Sequence, residues 1–133
     1  MKKKLLILAL ILFSVCKPKK KLGIPDEAWR EESKIIAVSI CEKVLDCSKD
    51  FQKKLTPAKE KFLLEKLSKV NCIEKHKKSS IYLLQVQDTE KAKSEFRNCG
   101  EKIKSSSCEF LQSKGIQKEE SCTYIRGLQR QDD

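Results

Sequence analysis

Residues 25–48 read Pro-Asp-Glu-Ala-Trp-Arg-Glu-Glu-Ser-Lys-Ile-Ile-Ala-Val-Ser-Ile-Cys-Glu-Lys-Val-Leu-Asp-Cys-Ser, and they predict the central helix of an all-α fold. Pro25 suits the first helical turn, and the acidic Asp26 and Glu27 suit the positive end of the helix dipole. The apolar side chains fall on two adjacent stripes: Trp29, Ile36, Ile40, Val44 and Cys47 on one, and Val38, Cys41 and Leu45 on the other. A helix that is apolar over so much of its circumference is expected at the centre of a domain.

Two cysteines of this helix must bond to different neighbours. Cys41 and Cys47 are six residues apart, which separates them on a helix by about 120° and about 9 Å. A disulfide needs Cα atoms within about 7 Å of each other, so Cys41 and Cys47 cannot bond to each other. Each must therefore bond to a different cysteine elsewhere in the chain.

The partners of these two cysteines remain open between two schemes. A hairpin with its turn near residues 84–85 favours a bridge from Cys72 to Cys99, which leaves Cys108 and Cys122 for the first helix in an undetermined order. The alternative is a bridge from Cys108 to Cys122, which leaves Cys72 and Cys99 for the first helix.

The rest of the domain is also predicted to be helical, because glycine and proline are scarce and strand-like alternation is nearly absent. A second helix is expected at 57–77, a third from Asp88-Thr89, a short one at 108–113 closed by Gly115, and a last one at 119–129. Residues 81–86 are compatible with helix or strand. The second helix is predicted to turn an apolar stripe to the core: Phe62, Leu63, Leu64, Leu67, Val70 and Ile73. The expected fold is a small disulfide-stapled bundle of about four helices.

The N-terminus predicts export. Lys2, Lys3 and Lys4 precede an apolar run at 5–15 that is 11 residues long, whereas a membrane-spanning helix needs about 20. This arrangement is typical of a secretory signal peptide, here residues 1–15.

The end of that run, Leu-Phe-Ser-Val-Cys at 12–16, resembles the lipobox of bacterial lipoproteins, most closely the loose spirochaetal (leptospiral) form. The resemblance covers residues 1–16 and implies that Cys16 is acylated and becomes the new N-terminus. Val15 stands where the family prefers a small residue, and a soluble secreted form or another cleavage position is the alternative. The expected location is the bacterial envelope, with Lys17 after the lipidated cysteine favouring the outer membrane.

Behind Cys16 the sequence predicts a basic tether, residues 16–25, then a helical domain at 26–130 and a frayed tail at 131–133. Four lysines of the tether are expected beside the membrane: Lys17, Lys19, Lys20 and Lys21. Each contributes about 1 kcal/mol near an anionic lipid surface, although a merely solvated tether is the alternative.

The cysteine count supports a disulfide framework. Setting Cys16 aside leaves six of the seven cysteines, and an even number in a short exported chain is typical of structural disulfides. The six are Cys41, Cys47, Cys72, Cys99, Cys108 and Cys122. No two of them have the C-x2-C spacing of a zinc or thiol-redox site, so neither a metal nor a cofactor is predicted.

No catalytic pattern is visible. His76 is the only histidine, and its lysine neighbours predict a solvated surface side chain whose protonation is disfavoured. The pairs Glu31-Glu32 and Glu119-Glu120 are explained by solubility and by the helix dipole. No glycine-rich phosphate loop is present, so the chain is not expected to be an enzyme.

The charge predicts an acidic partner. The formal charge is +10; removal of Lys2, Lys3 and Lys4 leaves 26 basic against 19 acidic residues, or +7, of which the tether carries four. A basic region remains in the domain: Lys53, Lys54, Lys59, Lys61, Lys66, Lys69, Lys75, Lys77 and Lys78. It suits an acidic protein, a sulfated glycan or anionic lipid, with lysine-rich solubility as the alternative, and no nucleic acid is expected without an aromatic stacking surface.

The expected function is therefore a membrane-anchored interaction or structural module that performs no catalysis. The alternative is an inhibitor or small-ligand carrier with an apolar pocket between the helices. Its lining candidates are Trp29, Phe62, Tyr82, Phe96 and Phe110.

The lipid anchor is tested by palmitate labelling in a bacterial host. We expect wild-type chain to incorporate label and to partition into detergent, and Cys16→Ala to lose both properties, because only the thiol of Cys16 can accept the diacylglyceryl group. Equal labelling of the two proteins would contradict the assignment.

Overall fold

The computed structural model describes residues 23–130, without the side chain of Phe51. The predicted signal peptide, Cys16, the four tether lysines and the predicted tail at 131–133 lie outside the described residues. Those assignments remain predictions.

Within residues 23–130 the structure is all-helical, as predicted, and contains no strand. It has seven α-helices where the sequence suggested about four. They are α1 (Glu27–Gln52), α2 (Pro57–Lys66), α3 (Lys69–His76), α4 (Ser80–Leu83), α5 (Thr89–Ser105), α6 (Cys108–Gln112) and α7 (Glu120–Gln129), with a 3-10 helix (Gly115–Lys118) before α7.

Helix α1 is the centre of the packing and contacts α3, α4 and α5. Its inner face buries Trp29, Ser33 and Ala37 at successive turns, so that the predicted central role is confirmed. The indole Nε1 of Trp29 donates a hydrogen bond of 2.8 Å to the backbone carbonyl of Ile81 on α4. The same ring meets the edge of Phe96 on α5 with centroids 6.0 Å apart, which joins three helices at one side chain.

The helix predicted at 57–77 is broken in two at Ser68. This residue has an extended backbone (φ −60°, ψ 148°), and its hydroxyl accepts a hydrogen bond from the amide of Asn71. It is therefore the N-cap of α3, a role that serine fills well. The break places Cys72 against α1, but no residue of α2 is buried.

The apolar stripe predicted for the second helix is wrong in half of its members. Phe62 is 62% exposed, Leu64 42% and Val70 70%. Leu63 and Leu67 are half-buried, as is Ile73 on α3. The helix α2 therefore does not enter the core, and it is only partly shielded by the domain.

Serine and aspartate caps position the remaining short helices. Ser79 caps α4, which assigns residues 80–83 to a helix, and Asp88 caps α5 as predicted, accepting from the amide of Lys91 at 2.9 Å. The left-handed residue after α6 is Lys114 (φ 63°), so the prediction of Gly115 in that role is wrong by one position. Gly115 instead lies under the ring of Phe110, where a Cβ atom would come within 2.4 Å of the ring.

Three disulfides staple the helices: Cys41–Cys72 joins α1 to α3, Cys47–Cys108 joins α1 to α6, and Cys99–Cys122 joins α5 to α7. Their Cα atoms are 6.5, 5.1 and 4.8 Å apart in that order. They enclose 31, 61 and 23 residues, and loops of these lengths stabilise by about 3–4 kcal/mol each through chain entropy.

The connectivity confirms that the two cysteines of α1 bond to different neighbours, but neither predicted scheme is right as a whole: Cys47–Cys108 fits the first scheme and Cys41–Cys72 the alternative, whereas Cys99–Cys122 belongs to neither. The bridge from Cys72 to Cys99 assumed one continuous hairpin across residues 57–103. The break at Ser68 turns Cys72 to α1 instead, and Cys99 is then free to meet Cys122 on α7.

Two ion pairs tie α5 to the start of α1. Lys93 Nζ lies 2.8 Å from Asp26 Oδ2, and Arg97 Nη2 donates to Glu32 Oε2 at 2.8 Å. The hydrogen bond from Lys93 lowers the pKa of Asp26, and that from Arg97 lowers the pKa of Glu32. Both carboxylates therefore stay charged. The two ion pairs help to align α5 along α1, although partly exposed pairs add only modest stability.

His76 is part of the core, and its prediction as a solvated surface residue is wrong. It is 8% exposed, its Nε2 lies 3.0 Å from Ser33 Oγ, and its ring stacks on Phe96 with centroids 5.4 Å apart. Burial lowers the pKa of His76 from 6.5 to about 4. Protonation is disfavoured, as expected, but the cause is desolvation rather than the neighbouring lysines.

The close approach of α5 to α1 depends on Gly100, which is buried in the middle of α5. A Cβ atom there would lie 2.6 Å from Cγ2 of Ile36. That methyl belongs to a β-branched side chain whose rotamer is restricted in a helix, so it cannot simply swing away. Gly127 on α7 offers a contrast, because a Cβ atom there would meet nothing within 4 Å.

The same substitution at these two glycines should have opposite effects. We expect Gly100→Ala to lower the free energy of unfolding by about 1–2 kcal/mol, since overpacking exceeds the gain in helix propensity. Gly127→Ala should raise it by about 0.5–1 kcal/mol. Urea denaturation of the disulfide-bonded proteins measures both, and a shift in the same direction would contradict the packing of α5 on α1.

The buried histidine predicts a loss of stability in acid. Because folding lowers the pKa of His76 from 6.5 to about 4, the unfolded state binds the proton more readily between those values. Its contribution to stability is complete above pH 6.5 and falls by about 1.4 kcal/mol per pH unit toward pH 4, about 3 kcal/mol in all.

His76→Phe keeps the aromatic stack on Phe96 and removes the titration. Its unfolding free energy should lack this component between pH 6.5 and 4, while the carboxylates titrate alike in both proteins. Parallel pH profiles for wild type and variant would contradict the burial of a neutral imidazole.

Candidate functional site

The net charge of the described domain is concentrated in one segment, residues 53–70, which we name the α2 arm. Its six lysines and two glutamates give a formal charge of +4. Residues 23–130 as a whole hold 22 basic and 17 acidic side chains, or +5. The remaining 90 residues of the described chain are therefore nearly neutral at +1.

The α2 arm lies outside the core. Its main neighbour is α3, and α2 itself contributes no buried residue. Leu63 and Leu67 are half-buried and form the side that meets the domain. The arm is therefore attached by its inner leucines, and most of its surface remains open.

An aromatic ring lies near two lysines on an exposed side of α2 that borders the side of the inner leucines. At about 100° per residue, Lys59, Phe62 and Lys66 occupy a sector of about 60°, which we call the outer face of α2. The ammonium of Lys66 is 5.3 Å from the centroid of the Phe62 ring, a cation–π distance. Leu64 is also exposed, but it projects about 160° away from Phe62 and does not belong to this face.

The charges of the arm are not neutralised by the described part of the fold. Lys53 pairs with Asp50 at 3.2 Å, whereas Lys59, Lys61, Lys66 and Lys69 form no ion pair with any acid in residues 23–130. Lysines elsewhere do find partners: Lys49 pairs with Asp46 and Lys77 with Glu74, and these hydrogen bonds raise the pKa of each lysine. The arm therefore presents positive charge that is available to another molecule.

The structure separates the rest of the predicted basic region from the arm. Lys75, Lys77 and Lys78 lie at the C-terminal end of α3, whereas the arm includes only its first residues. Lys77 is paired with Glu74, and His76, which lies between Lys75 and Lys77 in the sequence, is buried. Lys75 and Lys78 are exposed as well, but they lie outside the arm.

Two clefts lie away from the arm. One is an open polar cleft of about 530 Å³ between α5 and α7, lined chiefly by Glu95, Glu101, Glu119 and Glu120 with Lys102. The other, of about 250 Å³, has apolar walls from Ile40, Phe96, Ile103, Ile116 and Ile125. It is smaller than the roughly 300–1,000 Å³ of ordinary ligand pockets.

The five aromatic residues predicted to line a carrier pocket do not converge. Only Phe96 borders the apolar cleft. Trp29 is enclosed in the core and Tyr82 stands edge-on to His76, whereas Phe62 and Phe110 are exposed.

The pair of Ser33 and His76 has the composition of a nucleophile and a base, but it cannot reach a substrate. Ser33 is 0% exposed and His76 is enclosed between Phe96 and Tyr82. Among residues 23–130 no group of three or more His, Cys, Asp or Glu side chains is placed to hold a metal ion. Over the same residues, no helix combines the length and hydropathy needed to cross a bilayer.

Comparison with known proteins adds no assignment to these observations. No protein-family model matches the sequence, and comparison with curated proteins and with solved structures found no significant match. The α2 arm is therefore the candidate functional site on the strength of its own charge, exposure and composition.

Proposed function

We propose that this chain is a non-enzymatic interaction module of a bacterial envelope, anchored by a lipid on Cys16, and that its α2 arm binds an acidic partner. In this proposal the signal peptide at 1–15 is removed. Residues 16–25 become a basic tether of the spirochaetal lipoprotein type, in the outer membrane, and the disulfide-stapled helical domain follows. The lipid anchor would determine where the protein is located, and the α2 arm would bind the partner.

The observation that supports the proposal most is that the positive charge of the domain is concentrated on a segment that contributes little to the core. The arm has +4 of the +5 charge of residues 23–130, and α2 buries none of its residues. A single exposed apolar residue is ordinary. Phe62, however, lies on a helix without buried residues and between unpaired lysines, which suits a partner with both negative charge and apolar surface.

The other candidates have weaker support. A small-ligand carrier needs a pocket, and the apolar cleft of about 250 Å³ is below the usual range. An enzyme needs a reactive group that a substrate can reach, and the imidazole of His76, which Ser33 and Ser79 contact, is buried. An inhibitor that blocks an acidic surface of its target would use the same α2 arm.

The proposal predicts that binding to acidic probes depends on the arm rather than on total charge. We expect Lys59→Gln/Lys66→Gln to weaken binding of the full chain to heparin, polyglutamate or anionic vesicles by about tenfold or more, since each lysine contributes about 1 kcal/mol at an anionic surface. Retention of the detergent-solubilised chain on heparin or polyglutamate at physiological salt measures the effect. For vesicles, which detergent would dissolve, the measure is the preference of the detergent-free chain for anionic over neutral vesicles, because a lipid on Cys16 enters both.

The matched control is Lys75→Gln/Lys78→Gln, which removes the same charge from exposed positions outside the arm. It should change binding by less than about twofold, because only long-range charge is lost. Equal losses in the two variants, or no binding of wild type to any of the three probes, would refute the proposal.

A further inference from the structure

We propose that the acidic partner is a lipid surface: the outer face of α2 docks onto an anionic bilayer, with Phe62 inserted at the headgroups and Lys59 and Lys66 beside it. This inference rests on the proposed function and narrows it from an acidic partner to anionic phospholipid. A sulfated glycan and an acidic protein are the competing partners that the experiment below separates from lipid.

The aromatic residue favours lipid over a purely ionic partner. Sulfate or carboxylate groups on a polyanion are matched by the lysines, whereas a bilayer can in addition take up an exposed aromatic side chain at its interface. At a bilayer, long lysine side chains can reach the headgroups while their stems lie along apolar surface, and a neighbouring aromatic side chain can enter the boundary between headgroups and acyl chains. Phe62 is 62% exposed and has Lys59 and Lys66 in the same sector, so the outer face of α2 has both components.

The helix is of a size that suits a surface contact. Its ten residues span about 15 Å, which is too short to cross a bilayer core of about 30 Å. Because no residue of α2 is buried in the domain, its outer face can meet a membrane without removing a side chain from the core. The charge of the arm, +4, is complementary to anionic headgroups.

The chain that precedes the structure explains why a weak contact would suffice. Six residues separate Cys16 from Gly23, and the seven steps between the two Cα atoms reach at most about 25 Å when extended. A lipid on Cys16 would hold the domain within that distance of the bilayer. Short flexible linkers give effective concentrations near the millimolar range, so the arm meets lipid far more often than it meets a soluble protein.

The two attachments would lie at opposite ends of α1. The chain enters at Gly23, beside the carbonyl of Leu83 and the first turn of α1, whereas the arm begins just after its last residue, Gln52. With 26 residues, α1 is about 39 Å long. With lipid at one end and Phe62 at the other, the inference keeps both ends of α1 near the bilayer, the first within the reach of the tether, and the anchor alone does not impose this restriction.

The test is a tryptophan placed on the outer face of α2. Full-length chain carrying Phe62→Trp is reconstituted in vesicles of phosphatidylcholine alone or mixed with phosphatidylglycerol, each with and without bromine-labelled acyl chains. We expect a blue-shifted emission and at least about twofold quenching by bromolipid in the anionic vesicles only, both reversed by high salt. The native Trp29 is 2% exposed, and its constant signal is subtracted with wild type.

The matched control is Ile35→Trp, on α1, because Ile35 is 71% exposed and lies outside the arm. It should show no quenching beyond wild type in either vesicle. Quenching of this control equal to that of Phe62→Trp would overturn the proposal, since it would show that any exposed tryptophan reaches the bilayer.

Soluble probes distinguish failure of this inference from failure of the proposed function. If Phe62→Trp responds to heparin or polyglutamate and not to phosphatidylglycerol, the lipid assignment is wrong and an acidic partner still stands. If it responds to none of the three, both are wrong. A response to phosphatidylglycerol that is lost in Lys59→Gln/Lys66→Gln supports the inference as stated.

Discussion

The packing of this domain depends on the inner face of α1, because the other long-range contacts are made to it or through its neighbours. Trp29 bonds to α4 and meets Phe96 of α5 at one end of that face, and Cys41 and Cys47 are bonded to α3 and α6 toward the other. A helical chain of modest apolar content gains little from core burial alone. Two disulfides and one buried indole on α1 add to this small stabilisation, since they fix the positions of the helices that α1 contacts.

The same helix shows what could be predicted from sequence and what could not. The central position of α1, the cap at Asp88 and the geometric rule that separates Cys41 from Cys47 depend on local sequence pattern, and the structure confirms them. The apolar stripes predicted for α1 are wrong in part, because Val44 is 39% exposed and the buried face includes Ser33 and Ala37. The pairing was missed because it depends on the break at Ser68. Serine within a polar stretch is a weak signal, and position 71 holds Asn rather than the Glu or Gln of a capping box.

A clue to the buried histidine was nevertheless present. His76 follows Cys72 by four residues, which places both on the same side of a helix. Once Cys72 is assigned to a disulfide inside the domain, the imidazole one turn later must be buried as well. The lysines around it in sequence point elsewhere, because residues one or two positions apart do not share a helix face. The lysines next to His76 in sequence therefore do not indicate whether its side chain is buried.

The α2 arm differs from the prediction in the opposite sense to His76. Its leucines predict a core helix, whereas the structure places α2 outside the core. Composition revealed the lysines but not that five of the six, all but Lys53, lack an ion-pair partner in residues 23–130. Segments with few buried contacts open and reorient at low free-energy cost, and the disulfide from Cys41 to Cys72 fixes α3 just after the arm. The arm can therefore adjust to a partner while the core stays closed. Substitutions at Lys59, Phe62 and Lys66 then report on binding rather than on folding, because none of these side chains contributes to the core.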